Sequence, residues 1–419
     1  MEILKVKVTE INPAAYNPRK ELRPGDPEYE TLKASIESFG YVDPVVWNRR
    51  TRNLVGGHQR FKILLAQGAQ EIEASVVDLD LPREKMLNLA LNNIGNEWDN
   101  DKLGQLLQEL QQMPELDLGL TGFNSTEISE IIDSITEAKE DDFNVDDELG
   151  KVGESITQLG DLIELGDHRL LCGDSSKPED VTKLLGNIKV NLIFTDPPYN
   201  VNYYGGNRPT PEKSRPKHSR NWSRIYNDNL TQEQYEAWLK QIFTNTTPYL
   251  DTGAPLYVWN GHRQFGPMYL MLTELGFHVS CVITWAKQNF AIGYGDYNQQ
   301  TEFCLYGWKE ENGAHRWFGP TNASTLWQEK RASVTDHPTQ KPVALAHRAL
   351  QNSSCRGDVV LDMFLGSGTT LIAAEELKRI CYGIELDPGY CDVIVRRYIR
   401  LVGQENVSQE IVKRYWREE

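Results

Sequence analysis

The sequence predicts an α/β protein whose larger, carboxy-terminal part is built on a parallel β-sheet. Apolar runs at residues 190–195, 359–364 and 381–385 alternate with helical patterns, as expected of parallel strands that helices cover on both faces. The first 95 residues instead mix short apolar strands with amphipathic helices. That mixture indicates a small α+β domain ahead of the sheet.

The composition excludes several classes of protein. With 419 residues, the chain is long enough for two or three domains. No apolar run approaches the roughly 20 residues that span a bilayer, and the amino terminus does not resemble a signal peptide, so we expect a cytoplasmic protein without a membrane partner. The net charge of −16 argues against a protein coated by nucleic acid but allows a local basic groove. The six cysteines form no C-x-x-C pair, so we expect reduced thiols and no metal.

The elements of the first domain, residues 1–95, follow from periodicity and glycine positions. Strands are predicted at 42–47 and 53–55, where apolar residues cluster. Helices are predicted at 30–39 and 57–66, and each is ended by a glycine, Gly40 or Gly68.

A helical segment at residues 96–136 and an acidic linker at 137–157 come next. The helical segment carries a leucine stripe on 103–110 and an isoleucine stripe after Ser125, and such stripes indicate packing. The stretch 137–154 is acidic and poor in apolar residues, so we expect it to be mobile. Residues 158–419 then form the α/β domain.

The predicted strand at 359–364 leads into a glycine loop, with the sequence Phe-Leu-Gly-Ser-Gly-Thr-Thr at 364–370. A helix follows, so the backbone can approach a ligand closely at the carboxyl end of the strand. Glu385 ends the next strand about 20 residues on, where such folds bind the hydroxyl pair of a ribose. A dinucleotide fingerprint would have a third glycine where this chain has Leu371, which favours a nucleoside ligand without a pyrophosphate, such as S-adenosylmethionine. Alone, the loop is equally consistent with a structural turn.

The apolar run at 190–195 ends in Asp196-Pro197-Pro198-Tyr199. Two prolines fix the backbone and remove two N–H donors, so the carbonyls can face a ligand. A carboxylate beside a carbonyl forms a pair of acceptors suited to an NH₂ group, and an aromatic ring three residues on can stack on a flat base. The alternative is a strand-end turn in which the aspartate caps a helix.

A third segment, His-Pro-Thr-Gln-Lys-Pro at 337–342, leads into a helical pattern at 343–350. Together with the Asp-Pro-Pro-Tyr motif and the glycine loop, it resembles the amino-methyltransferases of DNA, which modify N6 of adenine or N4 of cytosine. The motif order resembles the group called beta, as do Leu-Cys-Gly-Asp-Ser at 171–175, placed before the first strand, and Ile-Thr-Trp-Ala-Lys at 283–287. The resemblance implies a Rossmann-like methyltransferase fold with a mixed, mostly parallel sheet.

This resemblance also implies roles for the matching residues. Asp196 and the Pro197 carbonyl, in the turn completed by Pro198, would accept hydrogen bonds from the target amino group. Tyr199 would stack on the base once it has left the duplex. The S-adenosylmethionine site would be lined by Asp174, Phe364, Gly366, Ser367, Gly368, Thr369 and Glu385, with Lys341 and Pro342 near the methionine end. No metal is required, and Asp196 need not act as a general base.

Residues 208–224 form a basic stretch just after Tyr199. Such a stretch is typical either of a solvated loop or of a loop that contacts phosphates. The neighbouring catalytic motif favours DNA contacts, for which the candidates are Lys213, Arg215, Lys217, Arg220 and Arg224. The stretch between Trp308 and His337 is short for a recognition domain, so the sequence does not indicate where the DNA sequence is read.

The first domain resembles the ParB/sulfiredoxin-type domain, through Tyr-Asn-Pro-Arg at 16–19 and Val-Gly-Gly-His-Gln-Arg at 55–60. In that family a glycine-arginine segment opens a helix and binds nucleotide phosphates, as helix N-termini can. The resemblance implies an anion site at Arg19, Gly57 and Arg60. His58 and Gln59 replace the usual acidic-basic pair, which argues against nucleotide hydrolysis and favours a structural or DNA-contacting role.

Together these patterns favour a site-specific DNA methyltransferase that acts on double-stranded DNA and is adenine-specific, because an aspartate opens the Asp-Pro-Pro-Tyr motif and serine is commoner there for cytosine N4. Cytosine N4 methylation stays open. A ParB-type DNA-binding protein without catalytic activity is the alternative from another class, and the absence of clustered carboxylates counts against a nuclease. A homodimer and a cognate restriction or phage partner are left open.

Overall fold

The structure is a computed structural model. It describes residues 2–92, 98–113, 115–136, 138, 143–151, 154–201, 226–291, 296–310, 315–320, 322–329 and 341–416. The chain divides into two compact units, residues 1–136 and 137–419.

The first unit contains a five-stranded sheet with the strand order β1-β5-β3-β4-β2. Its strands are β1 (Glu2–Lys7), β2 (Asn12–Pro13), β3 (Val45–Asn48), β4 (Asn53–Gly56) and β5 (Glu71–Val77). Helices α1 (Pro27–Phe39) and α2 (His58–Ala66) pack against it through an apolar core that includes Ile36, Val45, Leu54 and Phe61. The strand predicted at 42–47 begins only at Val45, since Pro44 has no N–H to donate to a neighbouring strand.

Three helices complete the first unit. They are α3 (Leu81–Asn92), α4 (Asn100–Gln111) and α5 (Ser125–Ile135). The predicted packing stripes are confirmed, because Leu103 and Leu107 of α4 and Ile128 and Ile132 of α5 are buried in one cluster. An Asn124–Glu127 capping box starts α5, which satisfies two backbone donors at its N-terminus.

Part of the acidic stretch is ordered, which corrects the expectation of a mobile linker there. Residues Val145–Lys151 form helix α6. Phe143 and Val145 are buried against Val393, with Leu149 and Tyr390 packed beside them, and Glu148 pairs with Arg396. A few apolar contacts and an ion pair therefore hold this part of the segment despite its acidic surroundings.

The second unit is built on a nine-stranded sheet with the order β12-β10-β11-β9-β8-β13-β14-β7-β6. Its strands are β6 (Leu162–Leu165), β7 (His168–Cys172), β8 (Leu192–Thr195), β9 (Pro255–Asn260), β10 (Phe277–Ala291), β11 (Gln299–Lys309), β12 (Leu326–Trp327), β13 (Val359–Asp362) and β14 (Ile380–Glu385). The helices are α7 (Pro178–Leu185), α8 (Gln232–Thr246), α9 (Phe265–Glu274), α10 (Val343–Ser353), α11 (Thr369–Glu376), α12 (Pro388–Val402) and α13 (Gln409–Tyr415).

The expected mixed, mostly parallel sheet is confirmed. Strand β8 pairs in parallel with β9 and β13, and β14 pairs in parallel with β13 and β7. Antiparallel pairing joins β6 to β7 and links β9, β11 and β10 at the other side. Two apolar clusters line the sheet. The segment at 171–175 was expected before the first strand, but residues 171 and 172 end β7, which hydrogen-bonds to β14.

This strand order positions the site. Strands β8, β13 and β14 are neighbours and point the same way. Their carboxyl ends therefore meet at one edge of the sheet, the usual place for ligands in such folds. Of the described helices, none is long and apolar enough to cross a membrane.

Candidate active site

The Asp-Pro-Pro-Tyr turn leaves the sheet at the carboxyl end of β8. The Asp196 carboxylate accepts a hydrogen bond from the Tyr199 hydroxyl on Oδ1 (2.9 Å) and one from the Lys341 ammonium on Oδ2 (2.5 Å). The Tyr199 ring lies against Gly261, where a Cβ would come within 3.2 Å of it. The aspartate and the tyrosine of the motif are thus in direct contact with each other.

Hydrogen bonds on both sides fix this turn. The Tyr235 hydroxyl donates to the Pro198 carbonyl (2.5 Å). Asn200 follows with φ +56°, a left-handed conformation that asparagine tolerates better than most residues. Its side chain both donates to the Leu230 carbonyl (3.0 Å) and accepts from the Leu230 N–H (2.9 Å). These hydrogen bonds hold the Pro198 carbonyl and the backbone that follows the turn in place.

Two charged residues that carried no predicted role, Glu302 of β11 and Lys287 of β10, complete a cluster of charges. Glu302 Oε2 accepts from the Tyr199 hydroxyl (3.2 Å) and lies 3.1 Å from Lys341 Nζ, while Oε1 pairs with Lys287. The buried ammonium of Lys341 therefore lies between two carboxylates. The one sequence signal near this pair was the segment at 283–287, which ends at Lys287.

The charges of the cluster set its pKa values. Burial raises the pKa of Asp196, and the nearby Glu302 carboxylate adds to the effect, while Lys341 opposes it. Burial disfavours the charge on Lys341, but the Asp196 and Glu302 carboxylates outweigh it, and the pKa of Lys341 is raised. Burial acts against ionised Glu302 too, yet Lys341 and Lys287 lower the pKa of Glu302 to about 2. At neutral pH, Lys341 is therefore a cation and Glu302 an anion.

The glycine loop joins β13 to α11 beside this turn. Gly366 and Gly368 have φ of +56° and +86°, where any other residue would be strained. A Cβ at Gly366 would meet only the Phe364 carbonyl oxygen, at 3.9 Å, whereas one at Gly368 would lie 3.2 Å from Ile394. The backbone at Gly366 is therefore open to a ligand, while Gly368 allows close packing onto α12.

Glu385, at the end of β14, lies next to the open glycine. Its Oε2 accepts from the Gly366 N–H (2.8 Å) and its Oε1 from the Asp387 N–H (2.8 Å). Burial raises the pKa of Glu385 to about 7. The loop after β7 joins it, because the Gly173 N–H donates to the Glu385 carbonyl (2.9 Å), and the next residue, Asp174, accepts from the backbone and hydroxyl of Ser176.

Three more predicted cofactor residues lie in the glycine loop itself and contact neighbouring parts of the chain. The Phe364 ring packs against Trp238, with 5.5 Å between ring centroids. The Ser367 carbonyl accepts from Arg397 (2.9 Å). The Thr369 hydroxyl donates to the Lys341 carbonyl (3.4 Å). These contacts connect both ends of the loop to neighbouring helices.

Lys341 links the glycine loop to the Asp-Pro-Pro-Tyr turn. It precedes Pro342, the N-cap of α10. Its carbonyl faces Thr369 at the start of α11, while its ammonium reaches Asp196. A place near the methionine end of a cofactor remains a prediction for this residue; its observed charge contacts lie at Asp196 and Glu302.

Asp362 is a further residue that the motifs did not single out. At the end of β13, it accepts from the Thr195 hydroxyl (2.9 Å), the Thr370 hydroxyl (2.6 Å) and the Phe364 N–H (3.0 Å). Thr195 immediately precedes Asp196, so the Asp362 carboxylate connects the Asp-Pro-Pro-Tyr turn to the glycine loop. Burial raises the pKa of Asp362 to about 6.

The predicted anion site of the first unit lies at the start of α2. Gly57 has φ +84°, and a Cβ there would lie 2.9 Å from Val45 and 3.2 Å from Arg60 Nη2. Arg60 pairs with Asp43, and Arg19 donates to the Asn92 carbonyl (2.9 Å). Burial and the nearby positive charge of Arg60 lower the pKa of Arg19. The two guanidinium groups are therefore close enough to repel each other.

Several predicted residues lie outside the described part of the chain. They are the DNA-contact candidates Lys213, Arg215, Lys217, Arg220 and Arg224, and the segment 337–340 that precedes Lys341. All six cysteines are free. Within the described ranges, no group of three or more His, Cys, Asp or Glu side chains could hold a metal ion.

Three protein-family models match the chain. A DNA methylase model matches residues 190–396, a ParB N-terminal domain model matches residues 1–94, and a model of the ParB-methyltransferase helix-turn-helix (HTH) domain matches residues 101–159. The third match identifies a domain that the sequence patterns had shown only as helices and an acidic stretch.

The relatives are bacterial methyltransferases. The type II methyltransferase M.HpaI of Haemophilus parainfluenzae is 25% identical over 257 residues, which are 55% of this chain and 74% of that protein. The type II methyltransferase M2.MboI of Moraxella bovis is 26% identical over 231 residues, which are 50% of this chain and 80% of that protein. Among solved structures, a complex of M1.HpyAVI with S-adenosylmethionine is 27% identical in sequence and has a TM-score of 0.41. The match covers 54% of this chain and 98% of the M1.HpyAVI chain.

Proposed function

We propose that this chain, which carries a DNA methylase domain behind ParB N-terminal and HTH domains, methylates N6 of adenine in duplex DNA. The observation that carries the proposal is the meeting of two motifs at one sheet edge. The Asp-Pro-Pro-Tyr turn follows β8 and the glycine loop follows β13, and these strands are paired neighbours. An acceptor pair for an amino group thus lies beside a nucleoside-type site.

The residues around the glycine loop fit S-adenosylmethionine. The backbone at Gly366 is open to a ligand, and the Glu385 carboxylate beside it would accept the ribose hydroxyls. Asp174, Phe364, Ser367, Gly368 and Thr369 would complete this site. When bound, S-adenosylmethionine supplies a methyl group on a positively charged sulfur, which needs only a well-positioned nucleophile.

Asp196 can still accept the target amino group. A carboxylate offers about four lone-pair directions, and Tyr199 and Lys341 occupy one on each oxygen. A further direction, together with the Pro197 carbonyl, would accept the two N–H groups and draw the nitrogen lone pair out of ring conjugation. The raised pKa of Asp196 also suits this carboxylate to receive the proton that the nitrogen releases after methylation.

The proposal also names the base that is methylated. The aspartate that opens the motif favours adenine N6, and cytosine N4 is the alternative within the same chemistry. A protein that binds DNA without modifying it would need no acceptor pair beside the glycine loop.

For the ParB N-terminal domain, we propose that Arg19, Gly57 and Arg60 bind a phosphate-bearing ligand. Arg60→Ala should weaken this binding, as measured by titration with a fluorescent nucleotide or with duplex DNA.

One assay decides between these activities. The full chain is incubated with methyl-labelled S-adenosylmethionine and duplex DNA of mixed sequence, and the DNA is digested to nucleosides. Label on N6-methyladenine supports the proposal, whereas label on N4-methylcytosine selects the alternative. Transfer to no duplex at all would falsify both.

The first prediction concerns Asp196. Asp196→Ala removes an acceptor of the target amino group and should lower transfer to the background rate, because Lys341 and Tyr199 cannot replace a carboxylate. Cofactor affinity, measured by calorimetry, should stay near wild type, since Glu385 and Gly366 are untouched. Asp167→Ala, in the exposed turn between β6 and β7, is the control and should remain active. An active Asp196→Ala protein would remove Asp196 from the mechanism.

A further inference from the structure

The hairpin of β10 and β11 extends beyond the sheet at the edge that carries the site. These strands have 15 and 11 residues, the longest of the described sheet. Strand β9 ends at Asn260, which pairs with Phe303 of β11. Residues 299–302 and their partners on β10 therefore continue past the end of β9, which is parallel to β8 and ends at the same edge.

The same two strands hold catalytic-site residues before they reach the tip. Lys287 of β10 and Glu302 of β11 belong to the charge cluster around Lys341. Phe290 lies three residues beyond Lys287 and Tyr297 five before Glu302. At no more than about 3.3 Å per residue, and less across the register irregularity between Ala286 and Ala291, Phe290 lies at most roughly 10 Å along the chain from Lys287, and Tyr297 at most roughly 16 Å from Glu302. Both rings are therefore close enough to contact DNA whose target base is bound at Asp196.

We define the hairpin tip as residues 288–291 and 296–300. Its aromatic side chains are exposed, Phe290 by 53% and Tyr297 by 93%. Its remaining exposed side chains include the amides of Gln288, Asn289 and Gln299. Among these described tip residues, Asp296 is the one acidic side chain and none is basic. The described surface of the tip therefore has no positive charge with which to attract DNA phosphates.

Exposed amides and aromatic rings on a two-stranded ribbon match the chemistry of base pairs. A two-stranded β-ribbon fits the major groove, where asparagine and glutamine amides bond the edge of adenine. Aromatic rings stack on bases or wedge between them when a nucleotide is displaced. Lipid or an acidic peptide would be expected to meet basic or wholly apolar residues, and the tip has neither character.

We propose that the hairpin tip docks on the DNA duplex beside the target base, with its aromatic rings against base surfaces and its amides at base edges. This inference rests on the proposed function and adds to it the surface that reads the DNA sequence, which no motif located. The hairpin tip directly adjoins Lys287 on β10 and Glu302 on β11. The DNA bases that the tip contacts would therefore lie next to the charge cluster around Asp196.

The first test removes the two rings. The Phe290→Ala, Tyr297→Ala double variant should raise KM for duplex DNA about tenfold, the size expected for a lost stacking contact. Its cofactor affinity and thermal midpoint should match wild type, because both side chains are exposed. The dependence of DNA affinity on salt should keep its slope, since no phosphate contact is lost. Tyr269→Ala, Leu270→Ala on exposed positions of α9 is the matched control and should change none of these.

The second test removes amides. Wild type and the Gln288→Ala, Asn289→Ala variant each methylate a duplex library of random sequence, and methylated sites are sequenced. The variant should discriminate its best site from sites with one changed base pair about tenfold less well, with kcat at the best site retained. Unchanged discrimination together with an unchanged KM in the double ring variant would overturn the inference.

Direct DNA binding, measured by fluorescence anisotropy, separates this inference from the proposed function. Wild type that methylates DNA, with tip variants that bind and methylate equally well, refutes the hairpin tip alone. Wild type that binds DNA through the tip but transfers no methyl group refutes the proposed activity alone. Wild type that does neither refutes both.

Discussion

At the scale of single residues, the ammonium of Lys341 is the connection between the two halves of the site. It pairs with Asp196 and Glu302, and its backbone carbonyl faces Thr369 at the glycine loop. Burying one cation between two carboxylates is stable only when each charge has partners. Lys287 supplies the second positive charge, on Glu302. With Asp196 and Glu302 ionised, two positive and two negative charges lie together, so each carboxylate of the cluster has a cationic partner.

A pH dependence follows from Glu385. Burial raises its pKa to about 7, and ribose hydroxyls donate to an ionised carboxylate more strongly than to a protonated one. Cofactor affinity should therefore rise as the pH rises through about 7, with release of a proton on binding. Calorimetry in buffers of different ionisation enthalpy measures both effects. Glu385→Gln should bind more weakly and lose the dependence; a pH-dependent Glu385→Gln protein would assign the proton to another group.

Individual site residues could be predicted where the sequence places them in a short motif. Asp196 directly follows β8, Gly366 lies in the loop after β13 and Glu385 ends β14, so apolar runs and short motifs were sufficient to place all three at one edge of the sheet. Their roles stay predictions. Glu302 could not be found this way. It is one polar residue in a strand, its contact with Tyr199 spans 103 positions of sequence, and no local pattern records a contact of that kind.

At the scale of elements, Asp362 joins β8, β13 and α11. Three donors from these elements converge on its carboxylate. The strands were predicted from their apolar runs, but their adjacency was not, because β8 and β13 are separated by more of the chain than the whole first unit. Pairing across such distances depends on packing, not on local sequence.

A substitution at Asp362 tests this connection. Asp362→Ala leaves buried donors without an acceptor and should lower the free energy of unfolding by about 1–3 kcal/mol. Asp362→Asn keeps one acceptor oxygen and the same shape, so it should lose less. Urea unfolding of both variants gives the values, and transfer rates should fall in the same order. If Asn were as destabilising as Ala, the shape of the carboxylate would not be what orders the loop.

At the scale of the whole molecule, the chain consists of two compact units that divide after Thr136. The domain boundaries predicted at 95, 136 and 157 rested on composition. Composition marks acidic, apolar-poor stretches well, but it misjudged residues 143–151, where Phe143, Val145 and Leu149 pack in one apolar cluster. A few apolar residues decide packing, and an average over a stretch conceals them.

The two units should respond differently to ligand. A cofactor that binds one folded unit raises the stability of that unit by about 2.7 kcal/mol at a hundredfold excess over Kd. Calorimetry should therefore show two unfolding transitions, of which S-adenosylmethionine raises only the one that belongs to residues 137–419. Both transitions moving together would show that the units unfold as one cooperative body.

The sheet order also has a consequence for synthesis on the ribosome. Strand β8, which Asp196 directly follows, is made long before its neighbour β13 and before Glu385 of β14. Pairing between distant segments is slow and must wait for the later one. A nascent chain therefore carries the Asp-Pro-Pro-Tyr turn before Asp362 and the glycine loop exist, and we expect S-adenosylmethionine to bind only once β14 has been translated and has paired.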